Sequence, residues 1–68
     1  MFEVSEEISW KVRKRRAFER KSVSEVANEI GISRQTLREI ESGKKLYIRK
    51  TIYIKLIDWL LKGMERVE

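Results

Sequence analysis

Residues 22–43 contain two short helical patterns that are separated by only three residues. In the first pattern, SVSEVANEI, the apolar residues are spaced by three, one and three positions, as one face of a helix requires. Ser22 and Glu25 have the Ser-x-x-Glu spacing of a capping box, which predicts a helix start. The second pattern, RQTLREIES, follows Ser33, a favourable N-cap residue, and is closed by Gly43. Two helices this short and this close in the chain must pack against each other.

The turn between the two patterns has steric requirements that the sequence meets. Gly31 tolerates the left-handed backbone conformation that ends a helix. Ala27 is small where the two helices cross, and Ile32 and Leu37 have the size to fill the joint between them. Together these residues predict a helix-turn-helix motif over residues 22–43. The combination is more specific than any one of its residues.

Helical patterns also flank this motif on both sides. Residues from about Ser5 to Arg20 predict a first helix, and Thr51 is expected to cap a last one. Between the motif and the last helix, Leu46 and Ile48 alternate with polar residues, so a short extended segment is an open alternative to a loop.

The last helix carries two apolar stripes, and a helix this apolar is either deeply buried or shared with a partner. We expect the first stripe to face the core; it consists of Ile52, Leu56, Trp59 and Leu60. The second stripe is a candidate dimer face; it consists of Ile54, Ile57 and Leu61. The alternative is that the second stripe is covered by the preceding loop and by Met1, Phe2 and Val4.

Composition narrows the classes of function. The 68 residues suffice for one small domain, which we expect to span residues 1–68. Lys and Arg number 16 against 11 Asp and Glu, a net charge of +5 that predicts a polyanionic partner, most often nucleic acid. The chain has no His and no Cys, which excludes His-based catalysis, the common zinc sites and disulfides. No spacing assembles a nucleophile with a base, so we expect no enzyme, no metal and no cofactor.

The sequence has no feature that suggests a membrane. No apolar run approaches the roughly 20 residues of a transmembrane helix. The acidic start, MFEVSEEIS, lacks the basic-then-apolar order of a signal peptide. We therefore expect an intracellular, cytoplasmic protein that is associated with the nucleoid and makes no membrane contact.

The stretch SVSEVANEIGISRQTLREIESGKK resembles the lambda-repressor/Cro-like (XRE-type) helix-turn-helix family. The resemblance covers roughly residues 8–61 and rests on Ala27, residues 31–33, Leu37 and residues 41–43. It implies an all-α, lambda-repressor-like DNA-binding domain of four to five helices.

Two positions depart from the family pattern. Val23 stands where the family often has a Gln that touches a phosphate, and Lys21 stands where an aliphatic residue is usual. The TLRE segment is also similar to the MerR-like group, in which a winged hairpin follows the motif. The long segment before the motif and the Glu-x-Gly closure favour the repressor-like interpretation.

The third helix has a polar side that its packing does not use. Leu37 and Ile40 point one way; the opposite side has Gln35, Arg38 and Glu39, with Arg34 on the flank. This helix is the second of the two motif helices, and in such motifs its N-terminal end reaches base edges. There Arg can pair with guanine and Gln with adenine. The resemblance maps base reading onto Arg34, Gln35 and Glu39, and Arg38 follows one turn later. The alternative is solvated charge, with the two arginines paired to Glu39 and Glu41.

The resemblance also implies contacts outside the reading face. Phosphate contacts fall near Ser22, Thr36 and Ser42 and just after Gly43, where Lys44 and Lys45 suit that role. The alternative for the two lysines is a solvated basic loop. Arg16 and Glu41 are expected to form a structural ion pair that ties the first helix to the end of the third.

These features predict a sequence-specific, double-stranded-DNA-binding transcriptional regulator, a repressor or Cro-like switch protein of the phage type. We expect it to read the major groove with helix 34–41, to bind its operator as a homodimer and to need no small-molecule ligand. The alternatives are an antitoxin-like subunit, an excisionase-like architectural protein and a MerR-like winged variant.

Overall fold

The computed structural model describes the backbone of residues 1–65 and the side chains of residues 1–62. Within that range, four helices form most of the chain and two short strands form a small sheet. In chain order the elements are β1 (Phe2–Val4), α1 (Glu6–Glu19), α2 (Val23–Ile30), α3 (Arg34–Glu41), β2 (Leu46–Ile48) and α4 (Lys50–Glu65). The predicted all-α fold is confirmed with four helices, and the sheet is a minor addition to it.

Capping side chains set the starts of the first three helices. Ser5 caps α1 and Ser33 caps α3, each by accepting a backbone N–H from the first turn, at 3.2 and 3.1 Å. At α2, Ser22 and Glu25 form the predicted capping box, with hydrogen bonds of 3.1 and 2.9 Å. These bonds satisfy backbone donors that a helix start leaves unpaired.

The turn between α2 and α3 has the predicted geometry. Gly31 ends α2 with φ +92°, in the left-handed region. A Cβ at this position would meet only the Lys55 side chain, at an ordinary 3.7 Å, so the glycine is required for its backbone conformation and not for space. Ala27 is buried and Ile32 packs against the core, as their sizes suggested.

The core receives side chains from every helix. Its completely or almost completely buried members are Val12, Val26, Leu37, Ile40 and Leu56. Because the chain is small, these few side chains hold all four helices together, and α3 contributes two of them. One face of α3 is therefore fixed inward, which leaves the opposite face to solvent.

The alternating segment after the motif is a strand whose partner the sequence analysis missed. β2 pairs antiparallel with β1, with Phe2 opposite Ile48 and Val4 opposite Leu46. Val4 and Ile48 are buried, and Phe2 stacks on Tyr53 of α4 with ring centroids 4.7 Å apart. A winged hairpin of the MerR-like type needs a strand that pairs with its neighbour in the chain, whereas β2 pairs with the distant N-terminus.

The last helix begins two residues earlier than predicted, because a helix capped by Thr51 would start at Ile52. α4 starts at Lys50, and the Tyr53 N–H bonds to the Arg49 carbonyl at 2.9 Å, so the prediction that Thr51 caps this helix is wrong. Within residues 1–65 no helix combines the length and the apolar character needed to cross a membrane.

The two stripes of α4 have different surroundings. In the first stripe Leu56 and Trp59 are buried, as predicted. In the second stripe Ile54 and Leu61 are 54% and 52% exposed, and Ile57 is half-buried. The N-terminal residues thus form a strand beside α4 instead of covering the second stripe.

Candidate nucleic-acid interface

The outer face of α3 carries the four side chains that were predicted to read bases. Arg34, Gln35, Arg38 and Glu39 are all exposed, whereas Leu37 and Ile40 on the opposite face are 0% and 1% exposed. Among the described side chains, neither arginine has a carboxylate within ion-pair distance. The alternative pairing with Glu39 and Glu41 is therefore not formed, and both guanidinium groups point donors toward solvent.

The three predicted phosphate-contacting hydroxyls differ in what they can still donate. The oxygen of Ser22 accepts a backbone N–H at 3.1 Å, and that of Thr36 accepts the Ser33 hydroxyl at 2.8 Å. A hydroxyl that accepts keeps its own proton for another acceptor. Ser42 instead donates to the Glu39 carbonyl at 2.7 Å, so its proton is already committed.

A basic loop follows α3 directly. Gly43 has φ +80° and turns the chain, and Lys44 and Lys45 after it are exposed. The Lys44 N–H bonds to the Ser42 hydroxyl at 3.2 Å, which orients this part of the loop. The two lysines follow the end of α3 in the chain. If α3 lay in the major groove of DNA, the phosphate backbone at the edge of the groove would pass near this end.

A bidentate ion pair holds the end of α3 to α1. The Arg16 guanidinium donates two hydrogen bonds to Glu41, at 2.8 and 3.0 Å, and a third to the Lys21 carbonyl at 3.2 Å. Glu41 is only 9% exposed, and its hydrogen bonds to Arg16 raise the pKa of Arg16. Because two guanidinium N–H groups meet two carboxylate oxygens, the pair fixes the relative orientation of the two side chains as well as their distance.

A second ionic cluster was not predicted from the sequence. We call it the Arg15 network; it consists of Arg15, Glu19, Lys21, Glu29 and Trp59. The Arg15 guanidinium lies 3.8 Å from the Trp59 ring centroid, donates to the Trp59 carbonyl and pairs with Glu19 at 3.0 Å. The indole N–H of Trp59 donates to Glu29 at 3.1 Å, and Lys21 pairs with Glu29 and, at 3.2 Å, with Glu19.

The Arg15 network joins α1, α2 and α4 through partly buried charges. The i,i+4 spacing of Arg15 and Glu19 is a signal in the sequence, but the contact with Trp59 spans 44 residues and has none. The network also explains Lys21, whose ammonium group replaces the usual aliphatic contact with two ion pairs. Val23, the other departure from the family pattern, packs half-buried against the core.

Contacts within the network shift the pKa values of Glu19, Lys21 and Glu29. The hydrogen bond from Lys21 lowers the pKa of Glu29, and the one from Trp59 adds to this effect. Burial opposes ionisation of Glu19, but hydrogen bonds from Arg15 and Lys21 outweigh it and lower the pKa of Glu19. Hydrogen bonds to Glu29 and Glu19 raise the pKa of Lys21. All three groups thus favour their charged forms in the folded chain.

Comparison with known proteins adds to this geometry. A family model described as helix-turn-helix matches residues 12–57, which is more than half of the chain and includes α2 and α3 in full. The chain belongs to the lambda-repressor/Cro-like helix-turn-helix family. Membership confirms the resemblance predicted from the motif and supports a DNA-binding regulatory domain. No significant match was found among curated proteins or among solved structures.

Replacing Arg16 by Met should destabilise the domain by about 3 kcal/mol. The reason is that Glu41 would stay buried without a partner; Arg16 is 28% exposed, so the loss falls at the lower end of the range for buried pairs. Urea unfolding measures the change. Arg16→Lys is the control: it keeps the charge but not the fork geometry, and it should lose less. An unchanged unfolding midpoint with weaker DNA binding would mean that Arg16 acts on DNA and not on the fold.

Stability should fall on acidification because of Glu19 and Glu29. Their pKa values are lower in the folded chain than in the unfolded one, so their contribution is present above about pH 4.5 and is lost as the pH falls through the folded pKa. Unfolding at pH 7 and pH 3 measures this loss. Glu29→Gln should reduce the difference between the two pH values, whereas Asp58→Asn, in the exposed pair with Lys62, should leave it almost unchanged. Equal pH dependence in Glu29→Gln and the wild type would contradict this assignment.

Proposed function

We propose that this chain is a sequence-specific, double-stranded-DNA-binding transcriptional regulator that reads the major groove with α3. The observation that carries the proposal is the two-sided character of α3. Its inner face is locked into the core, while Arg34 and Arg38 on its outer face lack ion-pair partners among the described side chains. Exposed donors on a rigidly held helix of this family are suited to base edges.

Within this proposal the reading residues have distinct tasks. Arg34 and Gln35 stand in the first turn of α3, the end that reaches base edges, where Arg bonds guanine O6 and N7 and Gln bonds adenine N6 and N7. Arg38 lies one turn later and reaches a base or a phosphate. Glu39 accepts from a cytosine amino group, and it disfavours positions that would bring it close to a phosphate.

The side chains proposed to contact phosphates suit this arrangement of α3 on DNA. Ser22 and Thr36 keep hydroxyl protons to donate, and the N-terminus of α2 adds its partial positive charge. Lys44 and Lys45 supply charge beside the end of α3. Ser42 can donate to a phosphate only if its hydroxyl first gives up its hydrogen bond to the Glu39 carbonyl. We therefore assign it the weakest of the five phosphate contacts.

The proposed regulator acts as a small repressor or Cro-like switch protein. One recognition helix covers only a few base pairs, so we propose a homodimer on two half-sites about one helical turn apart. The exposed stripe of Ile54, Ile57 and Leu61 is the candidate dimer face. Its apolar side chains lie on a single helix face, as an isologous contact requires.

Removing the Arg34 side chain should weaken binding mainly at one base position. We expect Arg34→Ala to lose about 1–3 kcal/mol there and to relax the preference at that position, because a bidentate contact to guanine is lost. Binding of selected oligonucleotides by wild type and variant measures this. Lys44→Ala should weaken all sequences alike and reduce the salt dependence, and Lys62→Ala, at a distance from α3 in the chain, should change neither. A uniform loss in Arg34→Ala would make Arg34 a phosphate contact.

Introducing charges into the second stripe of α4 (Ile54, Ile57 and Leu61), called the α4 stripe below, should abolish dimer formation on DNA. In the double variant Ile54→Glu, Leu61→Glu, two charges would be buried without partners at the proposed contact. Sedimentation with operator DNA should give two chains per operator for the wild type and one for the variant. Lys62→Ala on the same helix is the control and should behave as the wild type. One wild-type chain per operator at all concentrations would contradict the dimer.

A further inference from the structure

The outer face of α1 is a surface that the proposed DNA contacts do not use. Trp10 is 52% exposed and Phe18 is 87% exposed, although both belong to a well-formed helix whose other side is buried through Val12. The Lys14 ammonium group lies 4.7 Å from the Trp10 ring centroid. Large aromatic side chains left this open on a small domain mark an interaction surface.

The charges on this face are arranged symmetrically about Trp10. Residues three and four positions before Trp10 are acidic, and those three and four positions after it are basic; in a helix all of them share its face. They are Glu6, Glu7, Arg13 and Lys14, and all are exposed. The helix dipole favours acidic residues at the start and basic residues at the end of any helix, but it gives no reason for an exposed tryptophan between them.

A face with this pattern is complementary to itself when two copies run antiparallel. A twofold axis through Trp10 places Glu7 opposite Arg13 and Glu6 opposite Lys14 of the second copy, and it repeats both pairs on the other side. The two Trp10 rings meet at the centre. An isologous interface must be self-complementary in this way, whereas binding to a foreign partner sets no such condition on the pattern.

The free chain does not satisfy these charges firmly. Glu7 pairs with Lys11 at 3.3 Å, but their side chains are 73% and 53% exposed, so this pair is weak and exchangeable. Arg13 has no ion-pair partner among the described side chains. In contrast, Arg15 and Arg16 on the inner side are held by Glu19 and Glu41. The inner cations of α1 are thus held by partly buried partners, whereas the outer ones have exposed partners or, in the case of Arg13, no ion-pair partner among the described side chains.

We propose that the outer face of α1 binds the same face of a second copy of this chain, antiparallel and centred on Trp10. This contact is distinct from the α4 stripe and does not depend on DNA. It buries a single pair of helices and is therefore weak, at the small end of protein interfaces. The acidic and basic ends set its direction, and the tryptophan supplies apolar area at its centre.

Exchanging the charges tests the proposal. All variants are made in the Ile54→Glu, Leu61→Glu background so that the α4 stripe does not contribute. The basic-to-acidic variant is Arg13→Glu with Lys14→Glu, and the acidic-to-basic variant is Glu6→Lys with Glu7→Lys. Association is measured by sedimentation equilibrium at roughly 50 to 500 µM, as a weak interface requires, and circular dichroism verifies folding.

We expect self-association to be weakened in each variant alone and restored when the two variants are mixed. Each variant alone faces like charges across the axis, so its dissociation constant should rise at least about tenfold. In the equimolar mixture one copy is acidic and the other basic along the face, and association should return to the background level or above. A monomeric background protein over this range, or a mixture that associates no better than its components, would overturn the proposal.

Cross-linking gives a second measurement that does not depend on the charge variants. The chain has no cysteine, so a single introduced thiol reports on its own neighbour. Trp10→Cys lies on the proposed axis and should form a disulfide-linked dimer under mild oxidation. Phe18→Cys lies on the same face, but the two copies of that position would be about 24 Å apart along the helices. Equal rates of disulfide formation in the two variants would contradict an antiparallel contact centred on Trp10.

Discussion

The ion pair between Arg16 and Glu41 determines how α3 is oriented on the domain. α3 has only eight residues, and Leu37 and Ile40 fix its inner face in the core. The two hydrogen bonds to Glu41 attach its last turn to α1, and the Ser33 cap closes its first turn. These contacts give the outer side chains a defined direction. A carboxylate that is 9% exposed is stable in this place only because the guanidinium satisfies both of its oxygens.

The parts of the fold that depend on neighbouring residues were predictable from the sequence. The caps at Ser22 and Ser33, the turn at Gly31 and the bounds of α3 follow from side-chain chemistry within one or two turns. The pairing of β1 with β2 was not predictable, because three-residue strands carry almost no periodicity and the paired residues are more than 40 positions apart in the chain. The start of α4 differed by two residues because the first turn uses the Arg49 carbonyl, a backbone group that every residue carries.

The candidate site divides in the same way. The four proposed reading residues lie together because helical spacing alone places them on one face, so the motif was sufficient to find them. The commitment of the Ser42 proton to the Glu39 carbonyl depends on the local path of the chain after α3 and was not predictable. The Arg15 network depends on a tryptophan 44 residues away, so the sequence did not show that Arg15 contributes to the fold. Arg15 and Arg16 serve the fold, so the count of 16 basic residues overstates the number available to DNA. The net charge is not affected, because each of the two is paired with a glutamate.

The two proposed self-associating faces of this small chain impose a limit on each other's strength. If the α4 stripe and the α1 face both bound tightly, each copy would link two others and the protein would polymerise in solution. A weak α1 contact avoids this, because it forms appreciably only where copies are already close together. DNA provides that condition: dimers on neighbouring sites have an effective concentration far above that of the free protein. Exposed aromatic side chains and exchangeable ion pairs on α1 suit a weak contact of this kind, since tighter apolar packing would let the proposed contact form in dilute solution as well.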